Sequence, residues 1–358
     1  MRNFQRISLI MTLLVLLTGV AFAGNDIIID KNAAKIFASL PDGVAFPEGI
    51  TANPETGEIY VSTFNFGGNN KLLRYSPNGK ILAQIDFGGT PLLGLAFNPK
   101  DKKVYIANFG ASMIQRTLND FDGTTPVENV ADIPIIGAPP NQFIGNPDGS
   151  QDEIIFGNSF PAPNGLIFSS EYDLFVSDSF QGAIFKIDDA AYCTAPCPVE
   201  TVKHDGLLAT AGFPPFGANG LALSKDGATL FITNTGDDRV LRLDLGTNII
   251  NVFAESIDGA DGIVLDKKGN LWVAANQADQ IMVLNEFGQV VTKLGEFLGI
   301  RKNDSPRGLL FPASLVIQGK WVFVTNLALP LTTIGGDEPE ENIMKYTVSR
   351  IKIPANID

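Results

Sequence analysis

Apolar residues along this chain fall in short runs such as EIYVS, KVYIA, DLFVS, LFIT, LWVA and WVFV, each bounded by Gly, Pro, Asn or Asp. Strands of about five residues with Asp-Gly, Asn-Gly and Pro turns between them predict antiparallel sheet. Runs that stay apolar, where a half-solvated strand would alternate, predict strands covered on both faces. The runs group into one recurring unit: a small residue or Gly, an apolar strand, a polar turn, and a second apolar strand ending in a polar residue. Its copies are PEGITANPETGEIYVSTFN (47–65), LLGLAFNPKDKKVYIANFG (92–110), PNGLIFSSEYDLFVSDSF (163–180), ANGLALSKDGATLFITNTG (218–236), ADGIVLDKKGNLWVAANQ (260–277) and PASLVIQGKWVFVTNLA (312–328). A third strand follows in most copies, reading LLRYS, AIFKID, VLRLDL, IMVLN and IMKYTV.

Six copies over a chain of 358 residues suit repeats of about 40 to 50 residues with insertions, the period of four-stranded propeller blades. A β-sandwich shows no such period, and a solenoid wants shorter repeats and polar caps. The fold predicted is all-β, a six-bladed β-propeller of four-stranded antiparallel blades. The wide gap between the second and third copies places an insertion at about 111–162, and its IPIIGAPPNQFIGNPDG stretch has the composition of a lid or binding loop. Within it, Phe143, Phe156 and Phe160 are candidates to wall an apolar pocket. The segment IFASLPDGVAFPEGI (36–50) resembles VFAESIDGADGI (252–263), the outer strand of one blade leading into the next. An N-terminal strand near residues 36–40 is therefore expected to complete blade six and close the ring, removing exposed edges.

Residues 1–23 carry Arg2 and Arg6, an apolar run from Ile7 to Val20 and the site Ala21-Phe22-Ala23, the order of a secretory signal peptide. Cleavage after Ala23 would leave 24–358 as a single domain, secreted or periplasmic, with no later stretch long enough to span a membrane. In an exported chain the close pair Cys193 and Cys197 reads as a small-loop disulfide. With 26 Lys and Arg against 39 Asp and Glu, net charge −13, a nucleic-acid footprint is not expected. One His and two Cys leave no Cys/His zinc cluster, so any metal must sit among oxygens.

The residue before each repeat's small residue reads Glu48, Leu93, Asn164, Asn219, Asp261 and Ala313 in blade order. In a propeller these positions open the innermost strands and converge on the central channel. Two carboxylates and two amide oxygens, Glu48, Asn164, Asn219 and Asp261, are hard donors that suit Ca²⁺ better than Mg²⁺. Asn-Gly and Asp-Gly are also ordinary turn dipeptides, but each copy has its hairpin turn elsewhere. A second column at the end of the second strand holds Asn65, Asn108, Asp178, Asn234, Asn276 and Asn326. From it Asn108, Asn234 and Asn276 are candidates for substrate contact, against the alternative of strand-end turn chemistry.

FPEGI, PNGLIFSSEYDLFVSDS, ANGLALSKDGATLFITNT and ADGIVLDKKGNLWVAAN resemble the gluconolactonase and senescence-marker-protein family, within the wider group that holds paraoxonases and diisopropyl fluorophosphatase. The resemblance implies a six-bladed propeller with calcium in the channel that hydrolyses lactones or organophosphate esters, its ligands matching Glu48, Asn164, Asn219 and Asp261. The chain departs from the pattern in two places. Leu93-Gly94 stands where sugar lactonases carry Asn-Asp-Gly, with NPDG (146–149) a faint substitute, and one His cannot supply the His pair of paraoxonases. A carboxylate must take the proton of the attacking water, and Asp178 and Asp261 are the candidates. His204, beyond the third strand of blade three, is expected at an outer edge, and no G-x-S-x-G elbow, P-loop or dinucleotide fingerprint is in place. Two readings follow: a calcium-dependent hydrolase acting on a small lactone or ester, or a non-catalytic binding scaffold in which calcium is structural. The sequence does not fix an oligomeric state.

Overall fold

The computed structural model describes residues 27–355 and 357, except residue 333; the signal segment and its cleavage site lie outside the described residues. Six sheets of antiparallel strands follow one another along the chain and form a six-bladed propeller. Blade one comprises Pro47–Ala52, Ile59–Thr63, Asn70–Tyr75 and Ile81–Gly88, and blade two Leu95–Asn98, Lys103–Asn108, Met113–Leu118 and Glu128–Asp132. Blade three comprises Pro163–Phe168, Leu174–Asp178, Ala183–Ile187 and Glu200–His204, and blade four Ala218–Leu223, Thr229–Asn234, Arg239–Asp244 and Ile249–Glu255. Blade five runs Ala260–Leu265, Leu271–Ala275, Gln280–Leu284 and Val290–Leu294, and blade six Pro312–Gln318, Trp321–Asn326 and Thr347–Lys352.

Blade six takes its outer strand from the opposite end of the chain. Lys35–Ser39 pairs antiparallel with Thr347–Lys352, so the ring closes through hydrogen bonds between the two chain ends. Ile28–Asp30 adds a fifth, parallel strand to Val290–Leu294 of blade five, which the sequence reading did not foresee. The third strand of blade six was expected at IMKYTV, but it is Thr347–Lys352. A short 3-10 turn at Pro339–Asn342 precedes it, and the carbonyl of Tyr346 is spent on Leu40 N at 3.0 Å.

Each of the six buried apolar clusters draws mainly on two neighbouring blades. Tyr60 and Leu72 of blade one meet Leu95, Val104 and Ile106 of blade two, and Trp272 and Ile281 of blade five meet Leu315, Val322 and Ile351 of blade six. At the closing seam Phe37, Phe323 and Val348 pack against Ile59, Leu73 and Tyr75. This packing on both faces explains the unbroken apolar runs. The wide gap before blade three holds the last two strands of blade two and a separate hairpin, Gln142–Gly145 with Gln151–Ile154.

Candidate functional site

The column Glu48, Leu93, Asn164, Asn219 and Asp261 lies within strands or on the approach to one, and none of its members sits in a turn; all five line one cavity. The glycine that follows serves blade packing. A Cβ on Gly49 would overlap the Leu93 carbonyl, one on Gly165 the Asn219 carbonyl, and one on Gly220 would sit 2.6 Å from the Asp261 carbonyl. Those carbonyls are also held by hydroxyls of the preceding blade. Ser62 Oγ donates to Leu93 O at 2.5 Å, Ser177 Oγ to Asn219 O at 2.5 Å, and Thr233 Oγ1 to Asp261 O. Thr325 Oγ1 donates to Glu48 O at 2.6 Å across the seam between blades six and one. The small residue in the repeat thus lets one blade's backbone meet the next, and the hydroxyl fixes where the donor column stands.

The amides are oriented as firmly as the backbone. Asn164 Nδ2 donates to Ser179 Oγ at 3.0 Å, and Ser179 Oγ gives its proton to Ala218 O at 2.7 Å. Asn219 Nδ2 donates to Thr235 Oγ1 at 2.9 Å, and Thr235 Oγ1 donates to Ala260 O at 2.9 Å. A hydroxyl whose proton is committed to a carbonyl has only lone pairs left for its neighbour, so the amide nitrogen must face it and the amide oxygen turns away. Asn276 Nδ2 donates to Asp261 Oδ2 at 3.0 Å. Glu48 Oε2, Asp261 Oδ1 and Asn276 Oδ1 are buried without any partner.

Burial holds the Glu48 carboxyl well above the usual carboxylate range, and the neighbouring Asp261 raises it further. Asp261 is pushed up to about 7 by burial, against the lowering effect of the Asn276 hydrogen bond and the nearby Asn219 amide. Two carboxylates buried together with orphaned oxygens form an arrangement that is costly without a positive charge. Hard oxygens, two of them anionic, fit Ca²⁺.

The second column divides. Only Asn276 lines the cavity. Asn108 donates to Gln115 Oε1 and accepts from Ala111 N at 3.0 Å, while Asn234 donates to the Leu207 and Ala209 carbonyls, each at 2.9 Å. Asp178, expected as a catalytic base, is fully buried off the cavity lining. It accepts from Ala162 N, Phe180 N, Gln181 N and Gln181 Nε2 at 2.8–3.1 Å. The strand pairing shows why the column mixed two faces. Asp178, Asn234 and Asn326 are register partners of Pro163, Ala218 and Pro312, whereas the partner of Ala260 is Ala275, one residue before Asn276. One step along a strand changes the face, so the residues equivalent to Asn276 are Phe64, Phe109, Ser179, Thr235 and Leu327. Ser179 and Thr235 were missed, and the signal was the strand alternation itself.

The remaining walls come from loops: Pro214 and Phe216 before blade four, Phe311 before blade six, and Leu327, Leu329 and Leu331 between the second and third strands of blade six. Phe311 holds φ 44°, a strained value for a bulky residue, with its N–H bound to Asp279 Oδ1 at 2.7 Å. The insertion contributes none of the lining residues. Phe143 is exposed, Phe156 is half-buried, and Phe160 packs on Phe109 at 6.1 Å between ring centroids. NPDG is the turn of the exposed hairpin. His204 ends the outer strand of blade three and is exposed. Cys193 and Cys197 are disulfide-bonded, with Cα atoms 5.6 Å apart. Asp337, Glu338 and Glu341 bring carboxylate oxygens together near the surface, with Glu338 accepting from Leu331 N at 2.7 Å.

Residues 198–295 match the family model described as SMP-30/Gluconolactonase/LRE-like region, so the resemblance carried by the repeats is shown over that stretch. A curated relative, Lactonase drp35 of Staphylococcus saprophyticus, is 33% identical over 86 residues, which are 22% of this chain and 26% of that protein. The match therefore spans about a quarter of the relative's length. Among solved structures, a luciferin-regenerating enzyme aligns with TM-score 0.61 and 15% identity, covering 87% of this chain and 92% of the other. A calcium-binding protein, regucalcin, from Agrobacterium tumefaciens aligns with TM-score 0.61 and 15% identity, covering 91% and 95%. At that identity the structural likeness shows a shared fold.

Proposed function

We propose that this propeller, similar to the SMP-30/gluconolactonase group, is an exported calcium-dependent hydrolase of lactones or related esters, with its site on the propeller axis. One observation carries the reading: Glu48 Oε2, Asp261 Oδ1 and Asn276 Oδ1 are buried without partners on residues lining one cavity. Glu48, Asn164, Asn219 and Asp261 would hold the ion. When bound, calcium supplies the positive charge that polarises an ester carbonyl and stabilises the developing oxyanion.

The rest falls to the chain's own residues. Glu48 and Asp261 are the only titratable side chains lining the cavity among the described residues, so the proton of the attacking water goes to a carboxylate there. Asp261 is the candidate, because Asn276 fixes its Oδ2 and its Oδ1 has no hydrogen-bond partner; holding the ion lowers its basicity. Asn276 is thus a positioning residue for Asp261, and Ser179 and Thr235 hold the two amides. The apolar walls exclude bulk water from the carboxyl pair. Export accords with the Cys193–Cys197 disulfide, which persists in oxidising compartments.

The test compares calcium-loaded wild type with Asp261→Asn on a neutral lactone, with folding followed by thermal melting. Turnover that depends on calcium and disappears in a folded Asp261→Asn supports the hydrolase. Bound calcium with no turnover of any lactone or ester would mean that the ion is structural and the protein a scaffold.

A further inference from the structure

The cavity is two-sided in its chemistry. Its oxygens belong to the column and to Thr235 and Asn276, while the other walls are Phe64, Leu93, Pro214, Phe216, Phe311 and the three leucines. Among the described residues, no Lys, Arg or His lines it. Each donor atom on the lining already has a protein partner: Asn164 with Ser179, Asn219 with Thr235, Thr235 with the Ala260 carbonyl, and Asn276 with Asp261. A polyol placed here would find the unpartnered oxygens of Glu48, Asp261 and Asn276 at one end only, and its remaining hydroxyls would be buried against phenyl and leucyl carbons without partners, which is strongly disfavoured. An anion would face two carboxylates whose charge a bound calcium no more than balances, with no basic side chain among the described lining residues to answer it.

The aromatic wall continues outward. Phe64 lies 6.0 Å from Phe216 and 4.8 Å from Phe66, ring centroid to centroid. Phe109 touches the same group, 5.4 Å from Phe64, 6.0 Å from Phe66 and 6.1 Å from Phe160. Phe64 and Phe109 are buried, while Phe66 is 69% and Phe160 45% exposed. The rings therefore pack edge to face in one cluster, with Phe64 on the cavity wall and Phe66, in contact with it, exposed to solvent. Exposed apolar surface continuous with a pocket marks a contact surface for a ligand.

We infer that the substrate is an uncharged lactone or ester bearing an apolar chain or ring, which lies on a path along the Phe64, Phe216 and Phe311 wall toward exposed Phe66, with its carbonyl at the Glu48 and Asp261 end. This rests on the hydrolase reading for the reaction but not for the ligand class. Phe66 is the residue that sets chain-length preference, since it extends the path beyond the cavity.

The experiment uses calcium-loaded protein with γ-lactones of increasing alkyl length and with glucono-δ-lactone. Each methylene buried along the path should raise kcat/KM about fourfold until the path is filled, and the sugar lactone should be the poorest substrate. Phe66→Ser, at an exposed position that tolerates polarity, should flatten the dependence on chain length. Ile249→Ser, on the outer strand of blade four, should not. Binding is read separately with the neutral fluorophore N-phenyl-1-naphthylamine, which the long lactones should displace and glucono-δ-lactone should not. If no lactone turns over but displacement follows chain length and weakens in Phe66→Ser, the ligand class stands and the hydrolase reading fails. Preference for the sugar lactone, or displacement indifferent to chain length, overturns the inference.

Discussion

At the scale of single residues, acidity alone says little about role. Asp178 and Asp261 are both buried carboxylates lifted by desolvation, yet their surroundings differ. Asp178 has three backbone N–H groups and the Gln181 amide on its oxygens. Gln181 in turn holds Pro134 O, Ile136 N and Gly137 N of the insertion. Asp178→Ala would strand three buried donors, each costing about 1–3 kcal/mol. We expect a loss of about 3 kcal/mol or more in denaturant unfolding, with calcium affinity of the folded fraction retained. Asp261→Asn should do the reverse, relieving a buried charge and abolishing tight calcium binding measured by titration calorimetry. Equal effects of the two on calcium affinity would put Asp178 back at the site. The sequence made Glu48, Asn164, Asn219 and Asp261 legible because the small residue after each fixes a common position on the inner strand. It did not resolve the second column, because similar strand-end residues sit on opposite faces one step apart and only pairing with Pro163 or Ala260 tells them apart.

At the scale of elements, the strand that closes the ring carries more than its length suggests. Lys35–Ser39 brings Phe37, whose ring meets Phe323 at 4.7 Å and Tyr75 at 6.4 Å, so it serves blades six and one together. Ile28–Asp30 is exposed throughout and pairs along one edge only. Starting the chain at residue 31 should lower the thermal midpoint slightly, and starting it at 41 should lower it far more and promote aggregation through the bared edge. Indistinguishable midpoints would refute closure by this strand. The hairpin Gln142–Gly145 with Gln151–Ile154 makes the opposite case. Almost all of it is exposed, and it supplies no lining residue. Replacing 140–155 by a short Gly-Ser turn leaves the Gln181 anchors in place, so calcium affinity should stay nearly unchanged; an equal loss of stability and affinity would show the hairpin to be part of the core. The closing strand was readable from its likeness to the outer strand of blade four. The blade-connecting residues Pro214, Phe216 and Phe311 were not, since nothing periodic marks a loop that folds over the axis.

At the scale of the whole molecule, the proposed ligands come from blades one, three, four and five, so an ion there would tie the ring across its axis as well as around it. Without the ion, the carboxyl pair penalises the folded state in a pH-dependent way. Asp261 titrates at about 7 in the fold against an ordinary 3.8, and Glu48 is shifted in the same direction. A raised folded value means that the unfolded chain gives up the proton first. Stability from this group is therefore fully present below about pH 4 and falls as pH rises toward 7, by an amount on the order of a few kcal/mol. Glu48 carries the decline further. Calcium should abolish or invert this dependence, because it binds the ionised pair and favours the folded state, by about 4 kcal/mol at a thousandfold excess over Kd. Calcium-free protein should thus melt higher at pH 5 than at pH 8, and calcium-loaded protein as high or higher at pH 8. Glu48→Gln should shrink both effects, and Leu93→Asn added to it should not restore them, because an amide oxygen replaces neither the lost charge nor its position. If wild type shows the same pH profile with calcium and with chelator, Glu48 and Asp261 do not hold the ion, and the axis loses its claim to be the site.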